Sequence, residues 1–547
     1  LALLLSMAMP AVAETPRYGG EFNVATVFYT RSAGSWDPAD WSPRTNSDTG
    51  LVREQLLAGD LSRSTRLGGP YTFHNSSNLP VEALRGELAE RWEWQEGDNG
   101  RETLIVHLRP GIMWPERTGI MAARELDAED VVFSHDLVRN SPRYIPTFFE
   151  HIDLVEALDR HTVAFHFHYY HVEWAYRFGF GAYSAIVPRE TAEIDRRDWR
   201  NVIGTGPFEL VANIPGNRQS YRRNPDYWGR EIIAGEPFQL PFVERVNYRI
   251  VKDRGTALAG LRSGQLDLME TVDWMMAASL KETTPELHWA RRQSGTTPLL
   301  WMRTDREPFN DIRVRRAMNL AVNQREVLDR YYAGNAQLLV YPPPPGFGDF
   351  HRPLDAMPGT VQELFEYRPE EAKALLAEAG FPNGFRVKVQ VCACDPEPLN
   401  VLVLLSHYLD DVGITLDIER LEQGAFYALW ARKGHAAGIM MPTPAINPAA
   451  TLRIQFGSGQ IGNFSRYESA TFDRDVQRLG RMRNKEQRVA LVHDLSALVL
   501  DEARAIWMPA PFQYSAWWPW VKNYGGELFA GFARQGPIYA RLWIDQD

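Results

Sequence analysis

The sequence predicts a mixed α/β protein of two or three domains. Three observations carry that expectation. The chain has 547 residues, and single hydrophobic cores stop growing near ~250–300 residues. Helix-type and strand-type apolar spacings alternate along its length. Its composition, 44% apolar and 23% charged residues, is that of a globular chain.

Residues 1–13, LALLLSMAMPAVA, are apolar and uncharged. They end in Ala11-Val12-Ala13, small residues at the positions that signal peptidase accepts. A truncated signal peptide is expected, cleaved ahead of Glu14. No cysteine stands nearby, so the expected product is periplasmic and not lipid-anchored. No later run reaches the ~18 uncharged apolar residues of a membrane span.

Residues 127–140 predict a helix with Asp127 as N-cap and Asp130 in its first turn, where carboxylates meet free backbone N–H groups. HTVAFHFHYY (161–170) alternates as a strand, with Val163, Phe165 and Phe167 on one face and His166 and His168 on the other. Residues 256–270 read as a short helix stopped at Gly264, then a strand at Leu266–Leu268. Residues 308–328 read as a helix capped by Asn310 or Asp311, with Val314, Ala317 and Met318 on its apolar face. Residues 368–385 place Pro369 at the first helical position, acids in the first turn and Gly380 at the end. A strand follows at 387–393. Pro342–Pro345 form a stiff extended loop within a domain.

The strand ends in VQVCACDPE, which holds the chain's two cysteines, Cys392 and Cys394. A regular strand would place them on one face, at a spacing too tight for a comfortable bridge within one strand. They read as small buried side chains, with a strained or redox-active bridge or a metal site as the alternatives.

Chemistry is harder to find. A net charge of −10 argues against a nucleic-acid or anionic-membrane partner. The zinc-protease, phosphate-loop, nucleophile-elbow and C-x-x-C patterns are missing. His166, His168 and His171 sit close in sequence but lack a convincing further ligand. Aromatics are plentiful, at 12% with 17 Trp. Large rigid rings suit both ligand clefts and cores.

Several segments together resemble one family. Tyr18-Gly19-Gly20-Glu21-Phe22 looks like an opening strand, Trp36-Asp37-Pro38 a turn, and Glu54-Gln55-Leu56-Leu57 a first helix. Ile186-Val187-Pro188 follows the alternating strand. Gly204-Thr205-Gly206-Pro207-Phe208 with Asn224-Pro225-Asp226-Tyr227-Trp228 is the most specific piece. Ser263-Gly264-Gln265-Leu266-Asp267 and Pro308-Phe309-Asn310-Asp311 with Val314-Arg315-Arg316-Ala317 complete the order. The chain resembles the family 5 extracellular solute-binding proteins, receptors of the oligopeptide and dipeptide type that feed ABC importers.

That resemblance implies a two-lobe periplasmic-binding-protein fold, type II, in its large three-subdomain variant with a hinged central cleft. Lobe I would comprise 14–50, 198–295 and 509–547, with an insertion subdomain at 51–197; lobe II would comprise 296–508. The implied function is capture without chemistry by a monomer, with no cofactor, metal or nucleic acid, and delivery to an inner-membrane ABC permease. By family position the ligand-binding residues would be Trp41, Asn46, Tyr144, Trp301, Trp430, Met440, Met441, Phe512 and Tyr514. Peptide receptors of the family hold the ligand's α-ammonium with an aspartate; the corresponding stretch here, residues 438–448, has no acid. The implied solute is therefore a peptide anchored by an acid elsewhere, or an oligosaccharide or sugar conjugate. A solute-sensing co-receptor and a secreted hydrolase are the other classes carried forward. The segment 203–229 reads as scaffold, with Gly216-Asn217 as a turn between strands.

Overall fold

The computed structural model describes residues 15–25, 35–40, 43–75, 79–96, 101–142, 146–251, 253–394 and 396–546. The expected signal peptide at 1–13, Trp41 and Tyr144 lie outside these residues.

Two large mixed sheets organise the chain as two lobes. The first-lobe sheet runs in the order Phe208–Ile214, Arg218–Arg223, Arg245–Arg249, Glu21–Ala25, Leu268–Asp273, Ala510–Trp517 and His288–Gln293. Glu21–Ala25 lies parallel to both its neighbours, while Ala510–Trp517 is antiparallel to the strands on either side. The second-lobe sheet runs Ile414–Leu421, Phe385–Cys392, Gly438–Pro444, Thr296–Met302 and Ala505–Ile506. A four-stranded antiparallel sheet, Ala89–Glu96, Glu102–Leu108, Thr162–Phe167 and Ile152–Asp159, forms an insertion subdomain beside the first lobe.

Burial follows the sheets. One apolar core joins the first-lobe sheet to the insertion subdomain, from Phe22 and Val24 through Val163, Phe165 and Phe167 to Tyr539 and Trp543. A second core fills the other lobe around Trp301, Val389, Val391, Leu405 and Val492. The chain passes between the lobes after Gln293, entering the second sheet at Thr296, and returns after Ile506 to rejoin the first at Ala510. Beside this return, Ala336–Gln337 of the second lobe pairs with the start of Ala510–Trp517.

The helix starts follow local capping chemistry. Ala128–Arg139 carries a capping box between Asp127 and Asp130. Asp311 caps Ile312–Leu320, and Pro369 opens Pro369–Glu378. Arg254–Arg262 ends at Ser263, and Gly264 follows at φ +71°, which glycine adopts without strain.

The structure departs from sequence reasoning in several places. The helix expected over 308–328 stops at Leu320, and a separate short helix, Gln324–Glu326, starts after the Asn323 cap. Glu54–Leu57 is not helical: the helix lies earlier, at Pro43–Thr49, and the chain is extended by Leu57–Gly59. Glu54 and Gln55 are buried and use their side chains to tie other segments to this stretch. The strand expected at Leu266–Leu268 begins at Leu268 and runs to Asp273. Cys392 and Cys394 are joined as a disulfide. The strand ends at Cys392, so the chain turns through Ala393 and Cys394 and brings both sulfurs to one side.

The segment 203–229 is structural. Phe208–Ile214 and Arg218–Arg223 pair as a hairpin across Gly216, at φ +71°. Gly204 passes so close to Val52 that a Cβ would lie 1.9 Å from its carbonyl oxygen. Thr205 Oγ1 donates to Glu54 Oε2 at 2.7 Å, and Trp228 Nε1 donates to the same oxygen at 2.9 Å. Tyr227 OH reaches Glu54 Oε1 at 3.3 Å. The aromatic pair thus closes the hairpin base onto a buried carboxylate.

Candidate functional site: an interlobe cleft

A cleft lies between the two lobes, lined by residues of both sheets, with a volume of about 1240 Å³ including its solvent-open mouth. Its first-lobe wall is made by strand ends. Ala25 closes Glu21–Ala25 and Asp273 closes Leu268–Asp273. In open α/β sheets the carboxyl ends of strands are where ligands settle. Asp273 then caps the helix Trp274–Thr283, its Oδ1 accepting from the Met276 N–H at 2.8 Å. This cap sets Trp274, Met275 and Met276 on the cleft wall. Met275 is 52% exposed, a large apolar side chain turned outward at the cleft.

The second-lobe wall comes from Thr296 and Pro298, the start of helix Pro396–Asp410, and Pro442. Phe512 and Gln513 line the floor at the second crossover. Arg291 lies over the Phe512 ring at 4.5 Å. Charges stand on both walls. Arg254 of the first lobe meets Asp273 Oδ2 at 3.3 Å. Glu397 of the second lobe accepts from Tyr332 OH at 3.0 Å and Tyr331 OH at 3.4 Å. Burial, and then the charge of Glu397, raises both phenols above their ordinary range. Trp274 reaches across from the first lobe and meets Tyr331 and Tyr332 edge-on, at centroid distances of 6.5 and 6.2 Å.

Of the residues expected at the site, Phe512 lines this cleft. Trp301 is fully buried in the second core and donates its indole N–H to Thr443 at 2.9 Å. Met440 and Met441 belong to the same core, two positions and one position before the cleft-lining Pro442. Asn46 is buried in the first lobe and donates to the carbonyls of Gly181 and Phe532. Tyr514 is 5% exposed and donates to Asn335 Oδ1 at 2.6 Å. Trp430 is partly buried at the end of helix Gln423–Ala431, beside Tyr427. Sequence reasoning missed Trp274, Met275, Arg254 and Glu397 as cleft residues. The signal for Trp274 was its place after an Asp N-cap at the end of a central strand.

Away from the crossovers the lobes also meet. Glu173 of the insertion subdomain is held by Arg177 at 2.8 Å and by Arg453 of the second lobe at 3.3 Å. Burial would raise the Glu173 carboxyl, but Arg177 and then Arg453 outweigh it and hold it well below the usual carboxylate range. The Val172 N–H donates to Gly480 O at 2.8 Å. Arg483 pairs with Glu102 and stacks over Tyr170 at 4.1 Å and Trp94 at 5.0 Å. These contacts join the insertion subdomain to the second lobe across the cleft's side.

Comparison with known proteins agrees with this architecture. Heme-binding protein A of Haemophilus influenzae is 26% identical over 484 residues, spanning 82% of this chain and 84% of the relative. The dipeptide-binding protein of Escherichia coli is 26% identical over 451 residues, spanning 77% and 79%. Among solved structures, the periplasmic binding protein DppA of Helicobacter pylori, in complex with peptide STSA, superposes with a TM-score of 0.74 at 22% identity, covering 97% of this chain and 99% of that one. The family pattern described as "Bacterial extracellular solute-binding proteins, family 5 Middle" matches residues 83–464. Most of the insertion subdomain and of the second lobe fall inside that match, and the chain belongs to the family 5 bacterial extracellular solute-binding proteins.

Proposed function

We propose that this solute-binding protein captures a short peptide in the interlobe cleft and hands it unchanged to an inner-membrane ABC permease. The carrying observation is the cleft lining, with Arg254 and Asp273 on one wall, Glu397 on the other, and Trp274, Met275 and Phe512 among them. A lining that mixes charged and apolar side chains suits a peptide, which carries both, better than a neutral saccharide. Ligand that touches both lobes binds the closed state better and shifts the population towards it. Export through residues 1–13, residence in the periplasm, monomeric action and the absence of chemical turnover belong to the same reading.

Thermal-shift screening of the protein against short-peptide and oligosaccharide libraries tests it, with mass spectrometry of the recovered ligand. Peptides should raise the melting temperature by mass action and be recovered intact. Stabilisation by saccharides alone, or recovery of cleaved peptide, would overturn the reading.

A further inference from the structure

Prolines concentrate at the cleft. They are 36 of the chain's 547 residues, but five of the 22 described residues that line it: Pro298, Pro396, Pro398, Pro442 and Pro511. Pro298 and Pro442 stand directly opposite each other where Thr296–Met302 pairs antiparallel with Gly438–Pro444. The flanking strands meet this pair only deeper in the sheet, Ile506 at Leu300 and Val391 at Met440. Residues 296–298 and 442–444 therefore run on as a two-stranded ribbon at the cleft. Opposite residues of such a ladder aim their backbone nitrogens either at each other or at the outer edges. Two prolines cannot bond to each other, so theirs face outward. The phase of the ladder agrees: the Arg303 N–H donates inward to Ala437 O at 2.9 Å, and the Met302 N–H outward to Arg504 O at 3.1 Å. Pro444, two residues on from Pro442, faces the same edge, and the Thr296 N–H is turned to Ser294 Oγ at 3.3 Å. Along this ribbon neither edge offers a ligand a backbone donor. A peptide cannot add there as a further strand through its carbonyls.

What the ribbon does offer is the flat apolar surface of its proline rings. The first lobe contributes Trp274, Met275 and Met276 to the same cleft, and Phe512 lies on its floor. Indole faces and thioether sulfurs both attract aromatic rings. Met275, at 52% exposed, leaves apolar surface for a ligand to cover. We infer that the cleft selects peptides by an aromatic side chain, seated among Pro298, Pro442, Trp274 and Met275, and does not hold their backbone as an added strand on the second lobe. The inference rests on the peptide reading above.

Isothermal titration calorimetry with seven tripeptides tests it: trialanine, the three in which phenylalanine replaces one alanine, and the three in which lysine does. At least one phenylalanine peptide should bind wild type roughly 10–100-fold tighter than trialanine, the gain from burying a ring. Lysine should give no such gain. Met275→Ser should shrink the ratio of phenylalanine to alanine binding roughly fivefold. Met275→Leu, which keeps the apolar bulk, should restore it and guards against a folding artefact. If trialanine or the lysine peptides match the phenylalanine peptides, or if Met275→Ser keeps the full ratio, the aromatic selection falls while the peptide reading stands. If no tripeptide binds, both fall.

Discussion

Glu173 and Arg453 stand 3.3 Å apart, one in the insertion subdomain and one in the second lobe. Because Glu173 keeps Arg177 at 2.8 Å whatever Arg453 does, this pair can be broken without stranding a buried carboxylate. Arg453→Met should therefore leave folding intact and weaken closure. The Arg453 side chain is 28% exposed, so solvent screening limits its contribution to roughly 1 kcal/mol, or about fivefold in ligand affinity. Small-angle scattering should show a larger radius of gyration without ligand. Unchanged scattering and affinity would refute this role.

The buried pair Glu87–Arg534 predicts the opposite behaviour. Its side chains are 1% and 2% exposed, and two hydrogen bonds of 2.7 and 3.0 Å join them. Arg534 also donates to Gln55 and to the carbonyl of Arg53. Glu87→Gln leaves the guanidinium without its counter-charge, which costs about 3–5 kcal/mol. A fall in the urea midpoint should report this, with ligand affinity of the folded fraction unaltered. A midpoint equal to that of wild type would contradict the assignment.

Acid should destabilise the fold through its buried histidines. Burial lowers His135 to about 3, His151 to about 2, His171 to about 3 and His435 to about 4; nearby arginines add to each. These imidazoles stay neutral in the folded chain, whereas the unfolded chain protonates them near ~6.5. Their stabilising contribution is complete above that value and shrinks as pH falls from it towards the folded values. Each group gives up at most ~1.4 kcal/mol per pH unit in that window. Melting temperature should thus drop between pH 7 and pH 5, and His135→Phe, beside Phe149 and Phe165, should flatten the drop. A constant melting temperature over that range would rule this out.

The 203–229 segment makes a sharper test. A Cβ on Gly204 would meet the backbone carbonyl of Val52 at 1.9 Å, and backbone cannot swing aside as a side chain can. Gly204→Ala should cost about 3 kcal/mol or more. Gly216→Ala, which must adopt the positive φ of an open hairpin turn, should cost nearer ~1 kcal/mol. Denaturant midpoints compare the two. Equal midpoints would remove the scaffold role from Gly204.

Fold and site were not equally legible from sequence. Asp127, Asp311 and Pro369 announced their helices because capping chemistry is local. The resemblance in the 203–229 segment was visible because Thr205, Tyr227 and Trp228 converge on the Glu54 carboxyl while Gly204 and Gly206 pack against the Val52 backbone, and few other residue types would satisfy that geometry. The cleft was less visible. Its walls come from residues near 254, 274, 397 and 512, brought together only when the chain has crossed twice between lobes. A count of tryptophans cannot separate Trp301, wholly buried among Phe456, Phe464 and Trp507, from Trp274 at the cleft wall. The disulfide was hidden by an assumption of regular geometry: a strand continued through Cys394 forbids the bridge, and a strand that stops at Cys392 permits it.

Trp274 belongs to one lobe and its aromatic neighbours Tyr331 and Tyr332 to the other. When the lobes part, this indole exchanges phenol edges for solvent. The molecule thereby carries its own optical gauge of opening. The difference in emission between wild type and Trp274→Phe isolates that one fluorophore, and its colour and quenching by iodide would follow each capture and release in real time, with no dye attached.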